Sequence, residues 1–381
     1  MRENWEIKKF SECLQKVSST TKIPKKKFLS DGSYPIISQE ASLTNGYWDN
    51  KDDLFIVDKP IIIFGDHTKV IKYVDFSFVR GADGVKVLLP ISQINSKFFS
   101  YQLQSIKLRD LGYARHFRLL KEKNIQIPPI QEQKEIVEIL DQAFESIEKA
   151  KANIEKNIEN AKELFQSKLN HIFSQTGDDW TQVSIESLCN NTKNINWKEN
   201  TDIEFDYIDL SSVSRTSFTV METKKIDSKN APSRAKKIVK ENDIIFGTTR
   251  PTLKRATKIT EKYNNQICST GFVVLSPKDS IDSKWIFYFL LSNVFMKRME
   301  SLQRGASYPA VSDNDVKKSI LSIPSKDFVK KEIVETLDVL DNHIQSVLLI
   351  YKEELDNLEE LKKSILQKAF IGELTNKNKA A

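Results

Sequence analysis

Cysteine and histidine are both scarce in this chain of 381 residues, which has 3 cysteines and 4 histidines. Cys13, Cys189 and Cys268 are too few and too scattered for a disulfide framework, and the isolated histidines add no zinc-site spacing. No apolar run approaches the ~20 residues that a membrane helix needs. The N-terminus shows no apolar signal segment, so we expect a cytoplasmic protein.

The motifs of the common enzyme classes are also missing. The sequence contains no glycine-rich phosphate loop, no dinucleotide fingerprint, no nucleophile elbow and no His-Glu-x-x-His motif. Pro128-Pro129 is followed by Ile130 and therefore lacks the aromatic residue that amino-methylating enzymes use. The sequence predicts that the chain is not an enzyme and that it binds no metal or cofactor itself.

Basic charge is abundant but unevenly distributed. The chain has 58 Lys and Arg against 52 Asp and Glu, a net charge of +6. Residues 131–175 have a net charge of −3 and residues 329–374 a net charge of −4, which leaves +13 for the rest. Two acidic segments thus alternate with two basic regions, as expected if the basic regions bind a polyanion.

The sequence repeats itself once, at a period near 190 residues. Ile62-Ile63-Phe64-Gly65 returns as Ile244-Ile245-Phe246-Gly247. The segment 135–141 returns as 332–338 with six identities in seven, and this offset of 197 holds without a gap for nearly forty residues. Since neither copy of this segment has gained or lost a residue, its length matters to the protein.

Both gapless segments predict long helices. No proline or glycine occurs at 130–176 or 325–371, and apolar residues recur at alternating three- and four-residue steps, which is typical of a coiled coil. We expect the two helices to pair in antiparallel fashion with pseudo-two-fold symmetry. The alternative is an ordinary amphipathic helix on each domain. The predicted pairing residues are Leu140, Ile147, Ile154, Leu164, Leu337, Ile344, Tyr351 and Leu361.

The predicted fold class is α+β, with two tandem mixed α/β domains separated by the two helices. We place the domains at 1–128 and 176–325, the helices at 129–175 and 326–375, and a disordered tail at 376–381. β-Branched runs at 61–64 and 244–246 predict strands, and segments 96–108 and 283–302 predict helices.

Basic, aromatic and small polar residues recur in both domains at positions suited to nucleic-acid contact. Arginine can read guanine edges and lysine can hold phosphates. A solvated basic face is the alternative for any single residue, but recurrence in both copies favours DNA binding. The candidates in domain 1 are Ser38, Gln39, His67, Lys69, Tyr113, Arg115, His116 and Arg118. Those in domain 2 are Ser211, Ser212, Thr249, Arg250, Lys254, Arg255, Arg304, Ser307 and Tyr308.

Several segments carry a resemblance to a known family. Trp5 and Trp180 open the two copies, an Ile-Pro-Pro-Ile-Gln-Glu-Gln run begins at Ile127, and the tail 361–374 reads Leu-Lys-Lys-Ser-Ile-Leu-Gln-Lys-Ala-Phe-Ile-Gly-Glu-Leu. Gly305-Ala306-Ser307-Tyr308 fits the same pattern. The layout resembles the specificity subunit of a type I DNA restriction–modification system over essentially the whole chain. One departure is the second run-in at 323–326, which lacks the Pro-Pro and Glu-Gln pairs.

The resemblance implies two target-recognition domains that each read half of a bipartite DNA site, with the helices fixing the spacer. It also implies that the helices dock two methylation subunits and that motor–nuclease subunits join them. S-adenosylmethionine, ATP and magnesium belong to those partners. Because the basic domains have diverged more than the helices, we expect an asymmetric site. The alternative is a structural adaptor whose basic domains bind RNA or an acidic protein.

Overall fold

A computed structural model describes residues 4–82, 84–200 and 202–375, so the tail predicted at 376–381 lies outside the described residues. The chain forms two compact units, Met1–Ile154 with Glu353–Ala381, and Glu155–Lys352. Each unit combines one mixed α/β domain with parts of two long helices. This division differs from the four consecutive segments that the sequence predicts, since both units take residues from distant parts of the chain.

The first unit contains eleven of the strands that the structure describes and two short helices before the first long helix. The strands are Glu6–Lys9 (β1), Leu14–Gln15 (β2), Lys22–Ile23 (β3), Tyr34–Ile37 (β4), Gly46–Trp48 (β5), Leu54–Phe55 (β6), Ile61–Gly65 (β7), Ile71–Val74 (β8), Phe78–Gly81 (β9), Val85–Pro90 (β10) and Asn124–Ile127 (β11). The helices are Ser96–Ser105 (α1) and Phe117–Lys121 (α2), followed by Ile130–Phe173 (α3), which continues into the second unit.

These strands form three small sheets, in the orders β1-β11, β2-β10-β7-β8 and β3-β9-β4-β5, with β6 also paired to β9. Strand β7 is buried along its whole length because both of its faces are covered. One core cluster joins Phe64 and Phe98 to Leu140 of α3 and Phe370 near the C-terminus. The strand predicted at 61–64 is therefore present as β7, and the helix predicted at 96–108 is present as α1. Both contribute side chains to this core.

The second unit repeats this plan. Its strands are Trp180–Ser184 (β12), Cys189–Asn190 (β13), Glu204–Ile208 (β14), Lys224–Asp227 (β15), Ala235–Ile238 (β16), Ile244–Gly247 (β17), Ala256–Lys258 (β18), Ile267–Ser269 (β19), Phe272–Pro277 (β20) and Ile320–Pro324 (β21). Its helices are Ile185–Leu188 (α4), Ser283–Leu291 (α5), Asn293–Leu302 (α6) and Asp313–Lys317 (α7), followed by Asp327–Phe370 (α8), which continues into the first unit. The sheets are β12-β21, β13-β20-β17-β18 and β15-β14-β19-β16.

The single helix predicted at 283–302 is in fact two helices, α5 and α6. Ser292 separates them, because its hydroxyl accepts a hydrogen bond from the amide of Phe295 and caps the second helix. The break turns the chain so that Trp285 of α5 and Phe295 of α6 join the same core cluster.

The two long helices pair in antiparallel fashion within the first unit. Lys362 of α8 lies 2.9 Å from Glu148 of α3, and Glu359 lies 2.5 Å from Lys151. The residue number rises along one helix as it falls along the other, which defines an antiparallel register. The fold prediction of α+β domains with two long helices that pair as an antiparallel coil is confirmed.

Two of the eight predicted pairing residues are exposed, although the prediction requires them to be buried between the helices. Leu164 is 59% exposed and Leu361 is 47% exposed, whereas Leu140, Ile147, Leu337 and Ile344 are buried and Ile154 and Tyr351 are half-buried. An α-helix has 3.6 residues per turn, so a strict 3.5-residue pattern drifts by ~20° per heptad. More than three heptads along the helix, other residues therefore face inward, namely Phe165 and Leu169 in α3 and Leu366 in α8.

A carboxylate on α3 fixes that helix to the first domain. Asp141 accepts a 2.6 Å hydrogen bond from the hydroxyl of Tyr101, and the ammonium of Lys97 lies 2.8 Å from it. Burial raises the pKa of Tyr101, and the hydrogen bond to Asp141 adds to this effect. The phenol therefore stays protonated as the donor.

The same contact recurs in the second unit. Asp338 of α8 accepts a 2.6 Å hydrogen bond from the hydroxyl of Tyr288, and the ammonium of Lys284 lies 2.5 Å from it. All three residues are the repeat equivalents of Lys97, Tyr101 and Asp141. The repeat seen in the sequence is thus a repeat of side-chain contacts as well.

Candidate nucleic-acid interface

In the first unit, the turn from β7 to β8 is bonded to a second loop that precedes α2. The buried carboxylate of Asp66 accepts a 2.8 Å hydrogen bond from the amide of Phe117. The carbonyl oxygen of the same residue accepts one from the amide of His116, also at 2.8 Å. These bonds hold the two loops side by side, so that their outer side chains share one surface.

An aromatic pair stands on this surface. The rings of His67 and Tyr113 are stacked, with centroids 4.8 Å apart and planes at 14°. Tyr113 is 86% exposed, so the outer face of its ring is open to solvent. An exposed aromatic ring of this kind offers a flat surface to a nucleotide, and the sequence predicts both residues as DNA contacts.

His116 does not reach the surface, contrary to the prediction that it contacts DNA. Its ring is completely buried; Nδ1 lies 3.1 Å from the carbonyl oxygen of Asp66, and Nε2 accepts a 3.1 Å hydrogen bond from the amide of Leu111. A carbonyl oxygen can only accept, so Nδ1 is the donor in this contact, and Nε2 also lies 3.7 Å from the carboxylate of Asp110. His116 therefore supports the loop that carries Tyr113.

Ser38 and Gln39 also build the loops. The side-chain oxygen of Gln39 accepts a 3.1 Å hydrogen bond from the amide of His67, and its carbonyl oxygen accepts one of 2.6 Å from the hydroxyl of Thr68. Ser38 is buried, and its carbonyl oxygen accepts a 2.8 Å bond from the ammonium of Lys72, whose pKa burial lowers to about 8. The prediction that Ser38 touches DNA through its side chain is therefore wrong, because that side chain is covered.

The remaining predicted cations of domain 1 are close to the aromatic pair in the sequence. Arg115 and Arg118 are exposed and flank His116 in the chain. Lys69 is half-buried, and its ammonium lies 3.2 Å from the carboxylate of Asp110. Among the described residues, the two arginines are thus the predicted cations of this domain that are exposed and have no ion-pair partner.

The second unit builds an equivalent loop pair after β17. The carbonyl oxygen of Pro309 accepts a 2.7 Å hydrogen bond from the amide of Arg250, and the amide of Val311 donates to Thr248 at 3.0 Å. Arg250 itself has a positive φ of 51°. This left-handed conformation is costly for a residue with a side chain, and such strain is often found at functional sites.

An aromatic residue again stands on the surface of this loop pair. The guanidinium carbon of Arg250 lies 4.8 Å from the centre of the Tyr308 ring, and one terminal nitrogen donates a 3.3 Å hydrogen bond to the carbonyl oxygen of Ser307. Tyr308 is 71% exposed. The cation–π contact orients the guanidinium while leaving most of its donors available.

Arg250 and Tyr308 line a cavity of about 630 Å³ together with Arg234 and Arg255. The Nε of Arg255 is buried and has no hydrogen-bond partner within the part of the chain that the structure describes. Burial lowers the pKa of the Arg255 guanidinium, and the nearby charge of Arg215 adds to this effect. So many positive charges around one cavity favour an anionic ligand.

Arg234 is a site residue that sequence reasoning missed. It also borders a second cavity of about 870 Å³, which the predicted residues Ser211 and Ser212 help to line. Ser211 is exposed, whereas Ser212 is buried. Arg234 is one of many basic residues between 234 and 258, and no neighbouring motif in the sequence distinguishes it from the others.

The other predicted residues of domain 2 have unequal access to a ligand. Thr249 lines the Arg250 cavity, and Ser307 is exposed beside Tyr308. Arg304 is exposed, and its guanidinium lies 3.7 Å from the carboxylate of Asp315.

Lys254 has a structural role that the sequence did not indicate. Its ammonium donates a 2.8 Å hydrogen bond to the side chain of Gln166 on α3 and lies 3.4 Å from the carbonyl oxygen of Leu291. Burial lowers its pKa. Lys254 therefore anchors the loop to the long helix, which corrects the prediction that it faces DNA.

The described residues contain no group of three or more His, Cys, Asp or Glu side chains placed to hold a metal ion. The three cysteines are free, and burial raises the pKa of Cys13 and Cys189 to about 11 and that of Cys268 to about 12. Among the described residues, no helix is long and apolar enough to cross a membrane.

Comparison with protein families adds the deciding observation. The family described as the type I restriction modification DNA specificity domain matches residues 2–160 and 177–353, once in each copy of the repeat. The chain belongs to this family. The resemblance inferred from the sequence is confirmed, and the two matches cover both halves of the repeat.

Curated relatives and solved structures are similar to this chain. The specificity subunit of the type I restriction enzyme HindI from Haemophilus influenzae is 25% identical over 171 residues, which are 44% of this chain and 36% of that protein. This chain thus spans about a third of the relative's length in the match.

The solved structures support the fold. A chain from a study of complex assembly and conformational transition of the type I R-M system is 15% identical, with a TM-score of 0.73 over 98% of this chain and 99% of that chain. The HsdS subunit from Thermoanaerobacter tengcongensis is 16% identical, with a TM-score of 0.54 over 98% of each chain.

Proposed function

We propose that this chain is the DNA-recognition subunit of a type I restriction–modification complex and has no catalytic activity of its own. The observation that carries this proposal is the loop pair that recurs once in each unit. Tyr113 packs on His67, and Tyr308 packs on Arg250, each beside the turn that follows a buried strand ending in glycine. The family match to both copies supports the same conclusion.

Each loop pair contacts one half of a bipartite duplex site, and the two halves differ in sequence. The chemistry of the pairs supports the difference. Arg250 offers a planar fork of donors that suits the O6 and N7 acceptors of guanine. The Nδ1 of His67 is buried, so that ring offers DNA at most one donor or acceptor, at Nε2. One protein with two unlike reading surfaces requires an asymmetric DNA site.

The long helices fix the distance between the half-sites and dock two methylation subunits, and motor–nuclease subunits complete the complex. Two interhelical ion pairs, Glu148 with Lys362 and Lys151 with Glu359, support a fixed register. Exposed apolar side chains on the helices, such as Leu164 and Leu349, supply surface for partner subunits. S-adenosylmethionine, ATP and Mg²⁺ bind those partners, and the complex acts on DNA in the cytoplasm.

A map of methylated bases in the host genome tests this function. Deletion of the gene should abolish methylation at one split, asymmetric motif and leave every other motif unchanged. A genome whose methylation does not change, together with a purified chain that binds RNA or shows no preference among duplexes, would favour the adaptor instead. Expression of the gene in trans should restore the lost motif and serves as the control.

A further inference from the structure

Arg80 occupies an unusual place in the first unit. It lies in β9, where it pairs with Lys22 of β3 on one side and Ile37 of β4 on the other. Alternate residues of a strand share a face, so Arg80 follows Phe78, which packs in an apolar cluster. Only 8% of Arg80 is exposed.

The guanidinium of Arg80 has no partner among the residues that the structure describes. Its Nε is sealed from solvent and makes no hydrogen bond to the described part of the chain. The two terminal nitrogens are not sealed in this way and keep some contact with solvent. Burial lowers the pKa of the group, and no carboxylate of the described residues compensates for it. An unpaired buried charge destabilises a fold, so folding alone does not favour arginine here.

The chain leads from Arg80 directly to the candidate interface. A side chain added at Gly81 would meet Ser38, and one added at Gly84 would meet Gln39 and His67. Arg80 therefore lies at the base of the loops that carry the His67–Tyr113 pair. The neighbouring Lys22 is exposed, as is the whole turn Lys25–Lys27, in which Lys25 pairs with Glu40, so exposed basic side chains follow the strand next to Arg80.

The depth of Arg80 decides which part of DNA it can reach. Base edges lie on the floor of a groove and are read by side chains that project from the protein. Phosphates project from the duplex and can enter a recess. A nearly buried guanidinium whose two terminal nitrogens keep some contact with solvent matches a single phosphate.

We propose that Arg80 binds one phosphate of the DNA backbone and thereby fixes the register of the first recognition domain on its half-site. This inference rests on the proposed DNA-recognition function and adds a positioning contact to it. The arginine stays unpaired in the free protein because its partner belongs to the ligand.

The test compares the full chain with Arg80→Met, which keeps the length of the stem, and Arg80→Lys, which keeps the charge. Binding to the methylated-motif duplex and to an unrelated duplex is measured over a series of salt concentrations. Arg80→Met should weaken binding to both duplexes by about tenfold or more and lower the salt-dependence slope by ~1, with the specificity ratio unchanged. Arg80→Lys should recover part of the loss.

Lys134→Met removes one exposed charge from α3 and is the matched control; it should leave the slope unchanged. Thermal unfolding without DNA separates a ligand contact from a structural one. The unfolding temperature of Arg80→Met should equal or exceed that of the wild type, because an uncompensated buried charge has been removed. A fall in unfolding temperature would show that Arg80 supports the fold, and would overturn the proposal.

Two further results would also overturn it. An unchanged salt-dependence slope with a lower specificity ratio would mean that Arg80 contacts a base. Equal binding by both variants and the wild type would mean that Arg80 does not contact DNA. The failure of the proposed function would look different, since wild type itself would then show no preference for the motif duplex. In that case the phosphate contact is still tested by the salt slope on the unrelated duplex.

Discussion

The guanidinium of Arg250 stacks on the ring of Tyr308 at 4.8 Å, and the backbone of the arginine is held in a left-handed conformation by a bond to Pro309. Both features orient the donors of Arg250 before any ligand is present. An oriented guanidinium loses less freedom on binding than a mobile one, so more of its interaction energy appears as affinity.

Replacement of Arg250 by alanine should therefore weaken binding at one half-site only. We expect a loss of about 1–3 kcal/mol and reduced discrimination at one position of that half-site, if the arginine makes a bidentate contact with guanine. Duplexes with base changes in each half-site in turn give the measurement. His67→Ala is the matched variant and should affect the other half-site. Equal losses at both half-sites for either variant would contradict the assignment.

Lys254 should behave differently from Arg250 although only four positions separate them. Its ammonium bonds to Gln166 and lies near the carbonyl oxygen of Leu291. Lys254→Met should lower the free energy of unfolding by about 1 kcal/mol, since these oxygens lose a donor. Half-site preference should not change, which a competition assay between duplexes would establish. A lost preference with normal stability would return Lys254 to the DNA surface.

The residues that the sequence misplaced show what it can and cannot predict. The long helices were predictable because periodic apolar residues without proline or glycine are a local signal. The sequence could not predict which basic side chains face DNA. Lys254 and His116 bind carbonyl groups that are far away in the sequence, and only the fold brings these groups together. The sequence does not distinguish a lysine that is free to contact DNA from one whose ammonium is hydrogen-bonded within the fold.

Strand pairing was also beyond the sequence. Trp180 begins β12, which pairs with β21 just before the second long helix, more than 130 residues away. The sequence showed both segments as landmarks of the repeat. Their contact depends on the closure of the whole domain between them, and no local preference encodes that.

The pairing residues of the helices allow a direct stability test. Leu140 is completely buried, so Leu140→Ala should cost about 2–5 kcal/mol of unfolding free energy through lost burial and a cavity. Leu361 belongs to the same predicted pattern but is 47% exposed, and Leu361→Ala should change stability by no more than about 0.5 kcal/mol. Denaturant titration of the isolated chain measures both. Equal costs would mean that the heptad pattern, without drift, describes the packing.

Asp341 gives the second unit a pH-dependent weakness. Burial raises the pKa of its carboxyl group above the ordinary value of 3.8, and the charge of Asp338 adds to this. The repeat equivalent in the first unit is the buried Phe144. Because the folded state holds the Asp341 proton more tightly than the unfolded state, the stability contribution is largest at low pH and falls as pH rises through the raised pKa.

Asp341→Asn should therefore raise the unfolding temperature at neutral pH. The amide oxygen can still accept the bond from Gln345, but the side chain cannot ionise. The advantage over the wild type should shrink as the pH is lowered towards 3.8 and disappear below it. Thermal unfolding from pH 3 to pH 7 measures the difference. A constant difference over this range would show that ionisation of Asp341 does not contribute.

If the helices set the spacer, a matched deletion should shorten it. Removal of 148–154 from α3 and 356–362 from α8 takes one heptad from each helix of the paired stretch, including both interhelical ion pairs. Seven residues span ~10 Å of helix, which is about three base pairs of DNA. Because seven residues are close to two whole turns, the helix faces beyond the deletion keep their direction to within ~20°.

Binding to duplexes with spacers varied one base pair at a time should then peak at a shorter spacer, with both half-site sequences unaltered. Deletion from α3 alone breaks the register and is the control that should abolish folding or binding. An unchanged optimum in the double deletion would mean that the distance between the half-sites is set by something other than the helices.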